Sequence, residues 1–198
     1  MKNSPEFYGQ EYLEGVIGGS GGKKRKEDNG AYYQSGVFIK RFLVDHGIEK
    51  PKTLDVGCGL GYVVRHLRNQ GVDAHGCEYG TWTVENAVIP GIIWADLTEG
   101  LPYEADSFDL VSCLGVLSQF PAEFAVKAVE ELKRVSRRFI FVNIQCMKYE
   151  LQKHHRNIKP PAYWERILES LDLKTFDDEY LRATYAPYKM RMTRILEK

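Results

Sequence analysis

The sequence predicts an α/β fold: a doubly wound, seven-stranded, mostly parallel sheet with helices on both faces and an antiparallel hairpin at its C-terminal edge. Three observations predict it. Short apolar runs alternate with helical patterns from about residue 31 onward, which indicates parallel strands covered on both sides. The first such run, "KTLDVGCG", leads through a glycine-rich turn into an amphipathic stretch, the order of a strand, a ligand loop and a helix. The last two runs, "LKTFDD" and "YKMRMTRIL", alternate more than the central ones and have no helical pattern between them, which suits an antiparallel pair at an edge.

Residues 1–30 stand apart from the rest. "GVIGGSGGKKRKEDNG" (Gly15–Gly30) has six glycines, a basic cluster and no apolar periodicity, so a flexible segment that could act as a lid is expected there. It is not a phosphate-binding P-loop: Ile17 stands where the first glycine belongs, and Lys24 where Ser or Thr belongs. Residues 31–198 are expected to form one domain. A helix begins at Ala31, with Tyr33, Val37, Phe38, Phe42 and Leu43 at three- and four-residue steps, and ends near Gly47. After the first strand comes a helix from about Leu60 to Gln70, stopped by Gly71. A second strand in "VDAHGCE" precedes a short helix near Trp82–Ala87, and "GIIWAD" and "SFDLVSCL" give the third and fourth strands. A helix over about Ala122–Val135 leads into a fifth, "RFIFVNI". A basic loop, a helix near Ala162–Leu171 and the two edge strands complete the chain.

Composition excludes several classes. A chain of 198 residues with 43% hydrophobic and 27% charged residues is a globular domain of ordinary size. It has no apolar run of membrane-spanning length, and its opening "MKNSPEFYGQEY" lacks the apolar core of a secretory signal, so a cytoplasmic protein is expected. Cys58, Cys77, Cys113 and Cys146 are widely spaced with no metal-ligand pattern; reduced, mostly buried thiols and no metal site are expected. The net charge is zero, yet residues 1–132 carry 12 Lys/Arg against 19 Asp/Glu and residues 133–198 carry 15 against 8. That asymmetry suits either an anionic partner on one side or a solvated basic surface.

Acidic residues at the strand ends narrow the ligand. Asp55 lies in the first strand just before the glycines, Glu78 closes the second, Asp96 closes the third and Asp109 lies in the fourth. A carboxylate at the end of the second strand can accept from both hydroxyls of a ribose, whichever adenosine cofactor carries it. The dinucleotide fingerprint G-x-G-x-x-G fails, because its last glycine would be Tyr62. Asp55 is also a poor neighbour for a pyrophosphate and a good one for a cation. "LDVGCGLG" resembles motif I of the class I S-adenosylmethionine-dependent methyltransferases, and "LPYEADSFDLVSCLGVLSQFP" resembles a second conserved segment of that family. The resemblance spans roughly Lys52–Ile144 and implies a Rossmann-like fold that binds S-adenosyl-L-methionine and releases S-adenosyl-L-homocysteine. Carried over residue by residue, it implies that Asp55, Gly57, Cys58, Gly59 and Gly61 surround the methionyl part and the ribose. It further implies that Glu78, followed by Tyr79, holds the ribose hydroxyls, that Asp96 and the Leu97 backbone read the adenine edge, and that Cys113 and Leu114 flank the cofactor. Two departures stand out: Gln119 occupies the place of a common family histidine, and "VSRRFI" replaces a glycine-rich turn before the fifth strand.

The acceptor is read from the remainder. The loop after the fifth strand carries His154 and His155 between Lys153 and Arg156, and neighbouring positive charge favours the neutral imidazole that a general base needs. "HRNIKPPAYWERILESLDLK" and "EFYGQEYLEG" resemble, more loosely, segments of methyltransferases that modify surface sugars. The resemblance implies O-methylation of a sugar hydroxyl on a glycan or a nucleotide-linked sugar, with Phe7, Tyr8, Tyr12, Tyr32 and Tyr33 available to stack on sugar faces. Methylation of RNA or another small molecule, and a non-catalytic activator subunit, are the alternatives. Nucleic acid is not the expected partner, because no RNA-binding module accompanies the domain and its isoelectric point is near 7.0.

Overall fold

The computed structural model of the chain describes residues 2–14, 30–146, 156–176, 179–181 and 191–198. Most of the glycine-rich stretch (15–29), together with His154 and His155, lies outside the described residues. Seven strands form one sheet in the order β3-β2-β1-β4-β5-β7-β6. They are β1 (Lys52–Val56), β2 (Asp73–Glu78), β3 (Ile92–Trp94), β4 (Phe108–Leu114), β5 (Ser136–Gln145), β6 (Lys174–Thr175) and β7 (Arg191–Glu197). The first five are mutually parallel, and β7 runs antiparallel to both β5 and β6. The order reverses beside β1, where β2 lies on one side and β4 on the other, so a crevice opens at the carboxyl ends of β1 and β4.

Strand alternation explains the two-sided core. Along β5, Phe139 and Phe141 point to one face, while Ile140, Val142 and Ile144 point to the other. The first face is covered by α2 (Gly30–Asp45) and α3 (Tyr62–Asn69), through Phe38, Ile39, Phe42, Val63, Val64 and Leu67. The second is covered by α5 (Ala125–Val135) and α6 (Pro161–Ser170), through Ala128, Val129, Leu132, Trp164, Ile167 and Leu168. No helix among the described residues is long and apolar enough to cross a membrane, and no group of three or more His, Cys, Asp or Glu there could hold a metal.

Three local differences from the sequence reading have physical causes. The buried stripe of α2 is Ser35, Gly36, Phe38, Ile39, Phe42 and Leu43, leaving Tyr33 and Val37 exposed, because α2 turns its small residues toward His66 and Val63 of α3. Helix α3 starts at Tyr62 and not at Leu60, because Gly61 is left-handed (φ 84) and closes a turn onto the Cys58 carbonyl. Near the N-terminus, a 3-10 turn (Pro5–Tyr8) and a short helix α1 (Gln10–Leu13) carry Tyr12 and Leu13 into a small cluster with Leu60 and Tyr62. That cluster sits directly against the glycine turn, next to α4 (Thr81–Glu85), whose Trp82 joins it.

Candidate functional site

The site is built at the crevice, beginning with the turn after β1. Gly57, Gly59 and Gly61 all have positive φ (70, 57 and 84). At Gly59 an added Cβ would meet nothing within 4 Å, so a side chain there would project into the open crevice from a backbone conformation that L residues rarely hold. The turn is anchored from beneath. Gly57 N and Cys58 N both donate to the Cys77 carbonyl at the end of β2, at 2.9 and 3.1 Å. From the side, Glu78 grips it: Oε2 accepts from Gly59 N at 2.8 Å, while Oε1 accepts from Tyr79 N at 2.7 Å and Gly80 N at 3.0 Å. Burial pushes the Glu78 carboxyl upward, and these three N–H groups oppose the push by favouring its charged form.

Asp55 lies one strand away, beneath the same turn. It is buried in β1, in register with Ser112 of β4, whose hydroxyl donates to Oδ1 at 2.6 Å. Desolvation is the dominant influence and raises the Asp55 carboxyl to about 7; the Ser112 hydrogen bond opposes this and the nearby Glu78 charge adds to it. A buried carboxylate with one neutral partner and an acidic neighbour is relieved by a cation. Ser112 was not among the sequence candidates. A polar residue inside the apolar run "LVSCL" was the available signal.

The third carboxylate is Asp96, in the turn after β3. Its Oδ1 accepts from Thr98 N at 3.0 Å and from Thr98 Oγ1 at 2.7 Å, and Lys2 Nζ forms an ion pair with Oδ2. Burial pushes Asp96 upward, but the Lys2 ammonium and the Thr98 donors outweigh it and hold the carboxyl below its ordinary value. Lys2 also reaches Thr98 Oγ1 at 2.8 Å, and its ammonium stands 5.5 Å from the Tyr79 ring centroid and 5.8 Å from that of Phe124. Neither Lys2 nor Phe124 carries a sequence signal, since only the fold brings Lys2 to Asp96 and Phe124 to Lys2. Thr98, two residues after an aspartate, fits the pattern of a side chain accepting from the backbone two residues on.

The remaining candidates divide. Tyr79 is partly exposed and lies between Tyr8 and Trp94, with ring centroids 6.0 and 6.1 Å away. Leu114 is partly exposed at the end of β4, and Leu97 is buried beside Asp96. Cys58 and Cys113 are buried, and burial pushes both thiols well above their ordinary range, so neither is a nucleophile. Cys113 packs in the core with Leu117 and the α5 side chains. Gln119 donates from Nε2 to the Gly115 carbonyl at 2.8 Å, bracing the turn after β4. That turn also receives the chain returning from β5: Arg156 N and Asn157 N both donate to the Ser118 carbonyl at 3.0 Å. Asn157 is 1% exposed, and its side-chain nitrogen and oxygen have no partner among the described residues.

Comparisons with known proteins bear on this geometry. Residues 54–138, which run from β1 into β5, match the family model for a methyltransferase domain. No curated protein matches the chain. Among solved structures, it is similar to an S-adenosylmethionine-dependent methyltransferase from Clostridium acetobutylicum (TM-score 0.69, 13% identity, covering 87% of this chain and 92% of that one). It is similar also to magnesium protoporphyrin IX methyltransferase from Synechocystis with bound S-adenosylmethionine (TM-score 0.58, 21% identity, 84% and 78% covered). A third likeness is to a complex between the Haloferax volcanii Trm112 methyltransferase activator and a methyltransferase (TM-score 0.58, 19% identity, 74% and 70% covered). At these identities the likeness is one of fold.

Proposed function

We propose that this chain is a class I S-adenosylmethionine-dependent methyltransferase that O-methylates a sugar hydroxyl of a glycan or a nucleotide-linked sugar. The observation that carries the cofactor site is the glycine turn held between two buried or half-buried carboxylates. Gly59 opens onto free space, Glu78 fixes its N–H from one side, and Asp55 lies beneath with its carboxyl raised to about 7. Those residues fit a cationic adenosine derivative. Asp55, Gly57, Cys58, Gly59 and Gly61 would hold the methionyl part and ribose, Glu78 and Tyr79 the ribose hydroxyls, and Asp96 with Leu97 the adenine edge; Cys113 and Leu114 would close the β4 side. The bound cofactor supplies a methyl group already activated by a sulfonium, so the chemistry asked of the protein is alignment and proton removal.

The protein's own residues divide that work. Ionised Asp55 would favour the cationic donor over its neutral product, which promotes product release. Glu78 keeps the turn in shape with three of its roughly four acceptor positions, and the one left on Oε2 would be available to a ribose hydroxyl. The acceptor side is assigned to the N-terminal aromatic cluster and the segment after β5. Phe7, Tyr8 and Tyr12 form edge-to-face or tilted ring contacts at 5.1–5.6 Å, and Tyr32 stacks on Tyr62 at 5.4 Å beside the glycine turn. Such a wall suits the apolar faces of sugar rings. His155, or His154, would remove the hydroxyl proton; in support, Arg156, the residue that follows them, is held at the turn after β4.

The test is transfer of a labelled methyl group from S-adenosylmethionine to a panel of nucleotide sugars and oligosaccharides, read by mass spectrometry. The expected result is a gain of one methylene on a sugar, with turnover reduced about 10²–10⁴-fold in the variant lacking the base, His154→Ala or His155→Ala. Transfer to RNA or to a non-sugar acceptor alone would overturn the sugar assignment. Full turnover in both variants would remove the histidines from the mechanism.

A further inference from the structure

Lys2 occupies a place that the proposed function assigns to a ligand. Its ammonium is paired with Asp96 Oδ2, donates to Thr98 Oγ1 at 2.8 Å and lies 3.7 Å from Glu99 Oε1. Two aromatic rings flank it, Tyr79 at 5.5 Å and Phe124 at 5.8 Å. A space bordered by two rings and a carboxylate, such as the Lys2 ammonium occupies, suits a flat base with an exocyclic amine, the rings contacting the base and the carboxylate accepting from its amine. The Lys2 ammonium offers Asp96 the same kind of donor. With Oδ1 already accepting from Thr98 N and Oγ1, and Oδ2 covered by the ammonium, Asp96 is only 6% exposed. A base that reaches this carboxylate must move Lys2 aside.

We propose that Lys2 is a built-in plug of the adenine slot, displaced from Asp96 each time the cofactor enters; this rests on the assignment of Asp96 to adenine made above. The segment that carries Lys2 has attachments of its own. Thr83 Oγ1 donates to the Tyr8 carbonyl at 2.5 Å, Asn3 Nδ2 to Tyr8 Oη at 3.2 Å, and Arg156 Nη2 to Asn3 Oδ1 at 2.8 Å. Lys2 can therefore swing on its four-carbon stem while residues 3–13 stay docked. Close packing supports the docking: at Gly80 an added Cβ would stand 2.7 Å from the Tyr8 carbonyl oxygen. The plug reduces apparent cofactor affinity by the fraction of molecules in which it is seated. It also keeps an anionic, partly apolar slot from standing open to other amines.

Titration calorimetry with S-adenosylhomocysteine tests this, using the full chain with no tag added before Met1 as wild type, Lys2→Met, Lys2→Arg, Asp96→Asn and the Lys2→Met/Asp96→Asn pair. Methionine keeps much of the stem's bulk and removes the charge. Lys2→Met is expected to bind about threefold to tenfold more tightly than wild type, as loss of a competing partly buried ion pair implies. Lys2→Arg keeps the plug and the wild-type affinity, and in the Asp96→Asn background Lys2→Met changes nothing. Equal or weaker binding by Lys2→Met, with wild type binding normally, would overturn the plug while leaving the cofactor site standing. Failure of every form, wild type included, to bind S-adenosylhomocysteine would overturn the cofactor site and the plug with it.

Discussion

Asp55 and Glu78 share one crevice but are held differently, and their substitutions should separate. Asp55 ionises near its ordinary value in the unfolded chain and near 7 in the folded one, so between those values the folded protein binds more protons. Its contribution therefore destabilises the fold progressively as pH rises through that window and is fully incurred above about 7. Asp55→Asn keeps an acceptor for Ser112 and removes the buried charge. Thermal melts should show it more stable than wild type at about pH 8 and indistinguishable at about pH 4, while its affinity for S-adenosylmethionine falls. Glu78 instead accepts from three backbone N–H groups. Glu78→Gln presents a donor amide to at least one of them and should cost about 1–3 kcal/mol in denaturant melts at neutral pH. A Glu78→Gln protein as stable as wild type would show that the carboxylate does not organise the turn.

At the scale of elements, the glycine turn and the N-terminal segment carry the proposed site. Gly59→Ala forces a methyl group into the crevice from a left-handed backbone. It should lower stability by about 1 kcal/mol and weaken S-adenosylhomocysteine binding far more than that strain alone, as calorimetry would show. Gly80→Ala places a methyl 2.7 Å from the Tyr8 carbonyl oxygen and should undock residues 3–13, seen as faster hydrogen exchange at Tyr12 and Leu13. Much of this scale was legible in the sequence. Asp55, the three glycines, Glu78 and Asp96 follow one another at strand ends, where periodicity and turn chemistry can be read locally. Lys2 and Phe124 were not legible, because each acts on a partner distant along the chain and neither differs in kind from an ordinary surface or core residue; Ser112 shows only as a polar residue within an apolar run, its partner Asp55 lying far away in the sequence. The buried face of α2 departs from the apolar spacing for a related reason: Tyr33 and Val37 have the right spacing, but the partner helix favours the stripe that includes Ser35 and Gly36.

Across the whole molecule, the mostly parallel sheet and its antiparallel edge follow from the alternation of runs, and the charge asymmetry finds a partly internal answer. Arg137 pairs with Asp109 at 2.5 Å, Lys198 pairs with Asp106, Arg138 with Glu197 at 3.0 Å and Arg194 with Glu165 at 2.7 Å. Two of these join the basic C-terminal third to acids of the larger N-terminal part. Such pairing leaves less unbalanced charge to track a phosphate backbone, and binding of generic RNA should accordingly be weak at physiological salt. The central claim is that the cofactor lies across the turn after β1 and the end of β2. The most direct test is calorimetric titration of S-adenosylhomocysteine into wild type and Glu78→Ala side by side. Wild type should bind one equivalent, with Glu78→Ala at least about tenfold weaker while still folded, the loss expected of a charged hydrogen-bond acceptor. Equal affinity in the two proteins would contradict that placement.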